Sequence, residues 1–236
     1  MRFGMVITGV TVKKAEVPLA KPFIISLGTI SSGEVVYIKL DTDCGITGYG
    51  EGAGVGFVAG ETSETILGAI KLFEPILLGQ NPYAIEHIHR AMDARLAGNG
   101  AAKAAVDIAL YDLMAKAAEL PLYRFLGGVS NQIEADITVG IDTPEAMAAE
   151  AARCVSNGFR EIKIKAGAGP EHDILAIRLS IAAATAFTAA RPNVIYADLD
   201  SFHGFDDSAI IKRAFTFETP ILTLSDAPGI GVEVEF

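Results

Sequence analysis

Between residues 134 and 165 the hydrophobic pattern changes period from two to about 3.6 and back to two, and this switch constrains the fold more than any other stretch. A strand is predicted over 134–140, and a helix over 144–157 that opens on Pro144 and stops at Gly158. A second strand is predicted at Glu161-Ile162-Lys163-Ile164-Lys165. Strand, helix and strand in succession is the pattern of a parallel sheet with a crossover helix. The second strand also carries chemistry. Side chains alternate along a strand, so Lys163 and Lys165 project together while Ile162 and Ile164 face the other way. Two neighbouring ammonium groups depress each other's pKa, and partial burial depresses them further, which makes a neutral amine available as a base near pH 7. Outward lysines that block edge pairing produce the same bare pattern and are commoner, so the neighbouring segments must decide.

Upstream, residues 5–17 and 33–54 read as β, with Val35-Val36-Tyr37-Ile38-Lys39-Leu40 β-branched and aromatic and Asp43-Cys44-Gly45 as a turn. They form an antiparallel meander. Two segments rich in glycine and serine, 22–32 and 54–60, read as loops carrying apolar residues such as Phe23, Ile24 and Phe57, which suits a lid over a ligand, although simple packing loops are the commoner case. Helical spacing follows. Ile66, Ile70, Phe73 and Leu77 lie three or four apart behind Thr62 and Ser63 as caps, and a second helix is predicted over 82–96. A third, alanine-rich helix spans 99–118 with Ala102, Val106, Ala109, Leu110 and Leu113 as its apolar stripe. Beyond the lysine strand, the spacing predicts a long helix over 170–190 and a strand at Val194-Ile195-Tyr196-Ala197-Asp198-Leu199-Asp200, then loop and short β to the end.

With 19 basic against 29 acidic residues the net charge is -10, which opposes binding to nucleic acid or an anionic membrane surface. Cys44 and Cys154 are too few and too far apart for a disulfide framework or a zinc site. No apolar run approaches the roughly 18 residues of a membrane span, so a soluble cytoplasmic protein is expected. Half of the residues are hydrophobic, enough for a substantial core in one large or two modest domains. Single residues add little. His87 and His89 lie two apart on a helix and face different ways, and His172 and His203 read as loop histidines. Asp107 and Asp112 read as structural hydrogen-bonding groups, and Glu51 as structural.

Four blocks together resemble the muconate-lactonizing branch of the enolase superfamily, and within it the dipeptide epimerases. They are the meander with its two loops; Ala101-Ala102-Lys103-Ala104-Ala105-Val106-Asp107-Ile108-Ala109-Leu110-Tyr111-Asp112-Leu113 running on to Pro121-Leu122-Tyr123-Arg124-Phe125-Leu126-Gly127-Gly128; the lysine strand; and Tyr196-Ala197-Asp198-Leu199-Asp200 with Asp226-Ala227-Pro228-Gly229-Ile230-Gly231. The resemblance implies an α+β capping domain of meander and helices over 1–130, followed by a partial (β/α) barrel with a C-terminal tail over 131–236. It implies that Lys165 is a base removing the proton α to a carboxylate or carboxamide, that Lys163 tunes it, and that Asp198 and Asp200 hold the α-ammonium of a dipeptide. The family supplies magnesium on acidic residues of successive middle strands, and none of that set is visible here. Barrel strands three to seven are expected to be absent, so no metal ligands are assigned and impaired activity is expected. Aligning Asp198 with a third-strand metal ligand is the other placement, and it yields one ligand only. Other readings are a cycloisomerase or succinylbenzoate-synthase-like enzyme, against which the Asp198 and Asp200 pair argues, or a non-catalytic remnant. A single helix from strand two back across strand one would be a left-handed crossover, so the remaining strands form an open sheet with apolar edges. A homo-oligomer is expected.

Overall fold

The computed structural model describes residues 4–173, 176, 215–219, 221–224, 226 and 228. The chain begins with a three-stranded antiparallel meander, β1 (Ile7–Ile25), β2 (Gly28–Thr42) and β3 (Thr47–Ala53), in that order across the sheet. The turn between β2 and β3 falls at the Asp43-Cys44-Gly45 signal, with Gly45 at φ +78° and Thr42 Oγ1 donating to the Ile46 carbonyl at 2.6 Å.

The first hairpin is longer than the sequence suggests. Segment 22–32, expected as a loop, carries on the pairing of β1 with β2 through Phe23 with Ile30, Ile24 with Thr29 and Ile25 with Gly28. The register shifts between Pro18 and Phe23, so residues 19–22 bulge against Ser31. The Pro22 ring, which cannot donate to the ladder, falls inside that bulge, while Phe23, Ile24, Ile25 and Ile30 supply β-type side chains beyond it. Glycine and serine had concealed the strand.

Five helices follow: α1 (Gly56–Ala59), α2 (Ser63–Leu77), α3 (Ile85–Arg95), α4 (Gly100–Ala117) and α5 (Leu122–Phe125). Helix α2 starts on a reciprocal capping box in which Thr65 N donates to Thr62 Oγ1 and Thr62 N donates to Thr65 Oγ1. Its buried stripe is Ile66, Ile70, Phe73 and Leu77, as spaced in the sequence. Helix α3 starts three residues later than predicted, because Asn81 Oδ1 accepts from Tyr83 N at 2.9 Å and holds 81–84 as a turn.

Helix α4 lies against the sheet. Its stripe residues Ala102, Val106, Ala109, Leu110 and Leu113 are all fully buried, and they share one core with Val36, Ile38 and Leu40 of β2 and the apolar faces of α2 and α3. Close approach is possible because β3 presents glycines there: a side chain at Gly48, Gly50 or Gly52 would run into the carbonyls of Ala109, Ala105 and Ala101 respectively. Asp112, fully buried, accepts from Tyr49 N at 2.9 Å, a charge-assisted bond that fastens the helix to β3, and from Lys116 Nζ of its own helix at 2.7 Å, which also donates to the Thr47 carbonyl of β3 at 2.9 Å. On the opposite face of the meander Tyr37 packs with Ala15 and Val35 and stands across from Glu51. Burial and the Glu51 carboxylate raise the Tyr37 phenol well above its ordinary range, and burial raises Glu51 in turn.

The predicted strand over 134–140 is two strands. The first, β4 (Gln132–Glu134), and the second, β5 (Ile137–Val139), separate at Ala135 and Asp136. Then come α6 (Pro144–Ser156) and β6 (Ile162–Ile164), and near the C-terminus β7 (Phe215–Glu218) and β8 (Ile221–Leu224). Strands β5 and β6 pair in parallel, as the alternation requires, while β4 pairs antiparallel with β8 in a separate sheet of order β4-β8-β7. Three residues are too few for the two-residue period to show where one strand ends and another begins. A second core of Val139, Met147, Ala151 and Ala176 fills the space between this parallel pair and α6. Among the described residues no helix is long and apolar enough to cross a membrane.

Candidate functional site

The C-terminal ends of β5 and β6 come together under the tip of the first hairpin. Ile162 and Ile164 pack against the α6 core, which leaves the positions of Lys163 and Lys165 on the opposite side of the strand. Lys163 pairs in register with Thr138, and Lys165, one residue beyond β6, continues the ladder by donating its amide to the Val139 carbonyl at 3.0 Å. Both lysines are half-buried. Asp198 and Asp200 lie outside the described residues, as do His203 and the strand predicted at 194–200; of the helix predicted over 170–190, residues 170–173 and 176 are described and are helical.

The hairpin reaches the strand ends through one backbone hydrogen bond and through side-chain packing on two glycines. Ile141 N, just past β5, donates to the Ile24 carbonyl at 3.0 Å, Phe23 packs on Gly140, and Ser26 rests against Gly167 just past β6. Gly167, at φ +127°, leaves no room for a side chain beneath Ser26. Lys21 adds an exposed ion pair to Glu150 of α6 at 3.4 Å, and Arg153 first, then Lys21, holds that carboxyl below its usual range. The apolar groups left in solvent at the tip are Ile24 and Leu27, with Phe57 and Val58 of α1 beside them; the Phe57 ring lies against Gly28. The two apolar segments expected as a lid meet where Phe57 lies against Gly28, and of the two the hairpin tip touches Gly140 and Gly167 at the strand ends.

The turn after β6 is organised by residues the sequence had left as ordinary. Asp173 accepts from Gly167 N at 2.9 Å and from Ala168 N at 3.2 Å. Desolvation pushes the Asp173 carboxyl up, but the Gly167 amide, His172 and the Ala168 amide outweigh it and leave the pKa lowered. His172 Nε2 lies 2.7 Å from the Asp142 carbonyl and its Nδ1 lies 3.3 Å from Asp173 Oδ1. The signal available beforehand was Gly167-Ala168-Gly169 directly after a strand, with an acidic residue opening the next helical turn.

Elsewhere, His89 of α3 pairs with Asp107 of α4 at 2.6 Å, and Asp93 with Lys103 at 2.7 Å, so these groups staple two helices. Among the described residues no group of three or more His, Cys, Asp or Glu side chains is arranged to hold a metal ion. Asp142 and Asp173, the carboxylates at the strand ends, accept from main-chain amides. The described residues therefore do not compose a magnesium centre.

A β-meander closed by helices, whose hairpin tip covers the strand ends of a β/α unit, defines an α+β capping domain of the enolase type followed by barrel elements. Residues 7–127 match the N-terminal domain of mandelate racemase and muconate lactonizing enzymes. The chain belongs to the mandelate racemase / muconate lactonizing enzyme family. It is 46% identical over 174 residues, 74% of its length, to a hydrophobic dipeptide epimerase of Enterococcus faecalis, and covers 49% of that protein. To an L-Ala-D/L-Glu epimerase of Clostridium acetobutylicum it is 38% identical, with 74% of this chain and 49% of that protein covered. The chain thus spans about half the length of the curated relatives it matches. The crystal structure of the E. faecalis dipeptide epimerase with Mg and L-Leu-L-Tyr superposes with a TM-score of 0.88 at 28% identity, spanning 97% of this chain and 99% of that chain. That of a Cytophaga hutchinsonii dipeptide epimerase with Mg and D-Ala-L-Val gives 0.73 at 40% identity, over 76% and 49%.

Proposed function

We propose that this protein is dipeptide-epimerase-like, moving the proton at the α-carbon of a dipeptide with Lys165 as the base. The observation that carries this reading is the hairpin tip seated on Gly140 and Gly167, directly beside Lys165 at the end of a parallel strand. A lysine works as a base only when its neutral form is populated, and we assign to Lys163, two residues away on the same side, the role of favouring that form. Asp198 and Asp200 are the groups for the substrate's α-ammonium, two carboxylates at strand period matching one cation with several donors. Residues 1–130 serve as the cap and 131–236 as the barrel part.

The apolar tip groups Ile24, Leu27, Phe57 and Val58 favour a dipeptide with apolar side chains, of the kind named in the E. faecalis complex. Removing the α-proton places negative charge on carboxylate oxygens, which needs positive charge beside it; the described residues bring no acidic cluster to hold a cation for this purpose. Exchange slower than that of the longer relatives, and self-association through the barrel part, belong to the same reading. The test is α-proton exchange into deuterated solvent, followed by NMR with L-Leu-L-Tyr and L-Ala-L-Glu. Wild-type protein should exchange the α-proton and Lys165→Ala should not; exchange that survives the substitution would refute the assignment.

A further inference from the structure

We infer that Asp173 and His172 are positioning residues for Lys165, acting as a bridge between the turn after β6 and the turn after β5. The inference deepens the proposed function, since it rests on Lys165 being the base. Gly167 and Gly169 both take positive φ, +127° and +128°, so the chain leaving Lys165 passes through a segment with little conformational restraint of its own. Two carboxylate-to-amide bonds supply that restraint, from the amides two and three residues beyond Lys165 to Asp173. Charge-assisted bonds to main-chain N–H groups are about twice as strong as neutral ones, so one side chain suffices to fix the turn.

His172 extends the restraint to the neighbouring strand. The Asp142 carbonyl can only accept, so His172 Nε2 carries a proton there; Asp173 Oδ1 is also an acceptor, so the 3.3 Å contact with Nδ1 closes as a hydrogen bond when that nitrogen carries a proton as well, in the imidazolium form. The result is a connected path of Gly167 and Ala168, Asp173, His172 and Asp142 across the mouth of the site. Each end of the path also bears a lid contact: Ile141, next to Asp142, donates to the Ile24 carbonyl, and Gly167 seats Ser26. The same bridge therefore sets the direction of Lys165 and the spacing of the two lid seats. A base displaced by about an ångström from its reacting proton loses on the order of a hundredfold in rate.

The experiment uses the 236-residue chain carrying ¹³C-labelled lysine and compares wild type with Asp173→Ala, His172→Leu and His172→Gln. Glutamine can still donate to the Asp142 carbonyl. The first readout needs no substrate: the pH titration of the Lys165 ε-carbon signal and the hydrogen exchange of the Gly167 and Ala168 amides. Asp173→Ala and His172→Leu should shift that titration and speed amide exchange, with His172→Gln close to wild type. The second readout is α-proton exchange, where kcat should fall about tenfold to a hundredfold with little change in KM and glutamine should rescue it. A folded Asp173→Ala or His172→Leu protein with wild-type Lys165 titration and amide protection overturns the bridge. If Asp173→Ala does not fold, the His172 pair decides. If wild-type protein exchanges no α-proton at all, the proposed function falls, and the lysine titration still decides the positioning role.

Discussion

Replacing Gly50 by alanine adds one methyl group, and the structure says that this methyl has nowhere to go. Gly48, Gly50 and Gly52 advance by two residues along β3, about 6.8 Å per step, while the carbonyls of Ala109, Ala105 and Ala101 advance by four along α4, about 6.0 Å per step. The two repeats nearly match, so each glycine meets one helix carbonyl. A methyl at Gly50 would overlap the Ala105 carbonyl, which belongs to a helix of 18 residues and cannot turn aside. Relief requires α4 to lift from the sheet, which loosens Ala105, Ala109 and Leu113, all fully buried. Overpacking costs about 1–3 kcal/mol and occasionally more; with a backbone obstacle the upper end applies, about 3 kcal/mol. For a chain of this size that lowers Tm by about 6–12 °C. In urea, with an m-value of about 2 kcal/mol/M, the midpoint falls by about 1.5 M. Gly68→Ala provides the control, because Gly68 is exposed in α2 and a side chain there meets nothing within 4 Å. It should stabilise by about 0.5–1 kcal/mol through helix propensity. A Gly50→Ala midpoint within about 0.2 M of wild type at unchanged m would refute the interlock; the linear extrapolation itself is good to about a tenth.

Two pH effects of opposite sign are expected. Burial first, then the charges of Asp136 and Glu134, raise the Glu161 carboxyl above its ordinary 4.5, so its ionised form weakens the fold above the folded pKa and the penalty fades as pH falls towards 4.5. Glu161→Gln should therefore raise Tm at about pH 8 and bring no gain near pH 4.5, as scanning calorimetry at the two values would show. Glu34, lowered chiefly by the Ser63 hydroxyl, and Glu64, lowered chiefly by Lys14, contribute stability above 4.5 that is lost as pH falls through their folded values. Lys14→Met should lower Tm at about pH 7, and the difference should vanish on acidification to about pH 2 or in about 1 M salt; an undiminished difference would assign the effect to packing instead.

Much of the capping domain was legible because its elements are long. The stripes Ile66-Ile70-Phe73-Leu77 and Ala102-Val106-Ala109-Leu110-Leu113 repeat often enough to show the helical period, and every residue so named is buried, although α2 also buries Ser63 and Ala69 and α4 also buries Ala105, Asp112, Met114 and Ala115. Short elements were less legible. The three-residue strands β4 and β5 merged into one, and glycine with serine disguised the far end of the hairpin. The bridge of His172 and Asp173 had no period to betray it, since its partners come from turns 30 residues apart and through two glycines.

Order along the chain settled the helical stripes, the parallel pair and the common side of Lys163 and Lys165, because each follows from a local repeat of 3.6 or two residues. Only the folded chain decided that the hairpin tip would rest on Gly140 and Gly167, that β3 and α4 would interlock glycine against carbonyl, and that β4 would pair with β8. Those contacts join residues remote in sequence, and whether they form depends on backbone fit and on closing long loops, neither of which leaves a mark in any short window of residues.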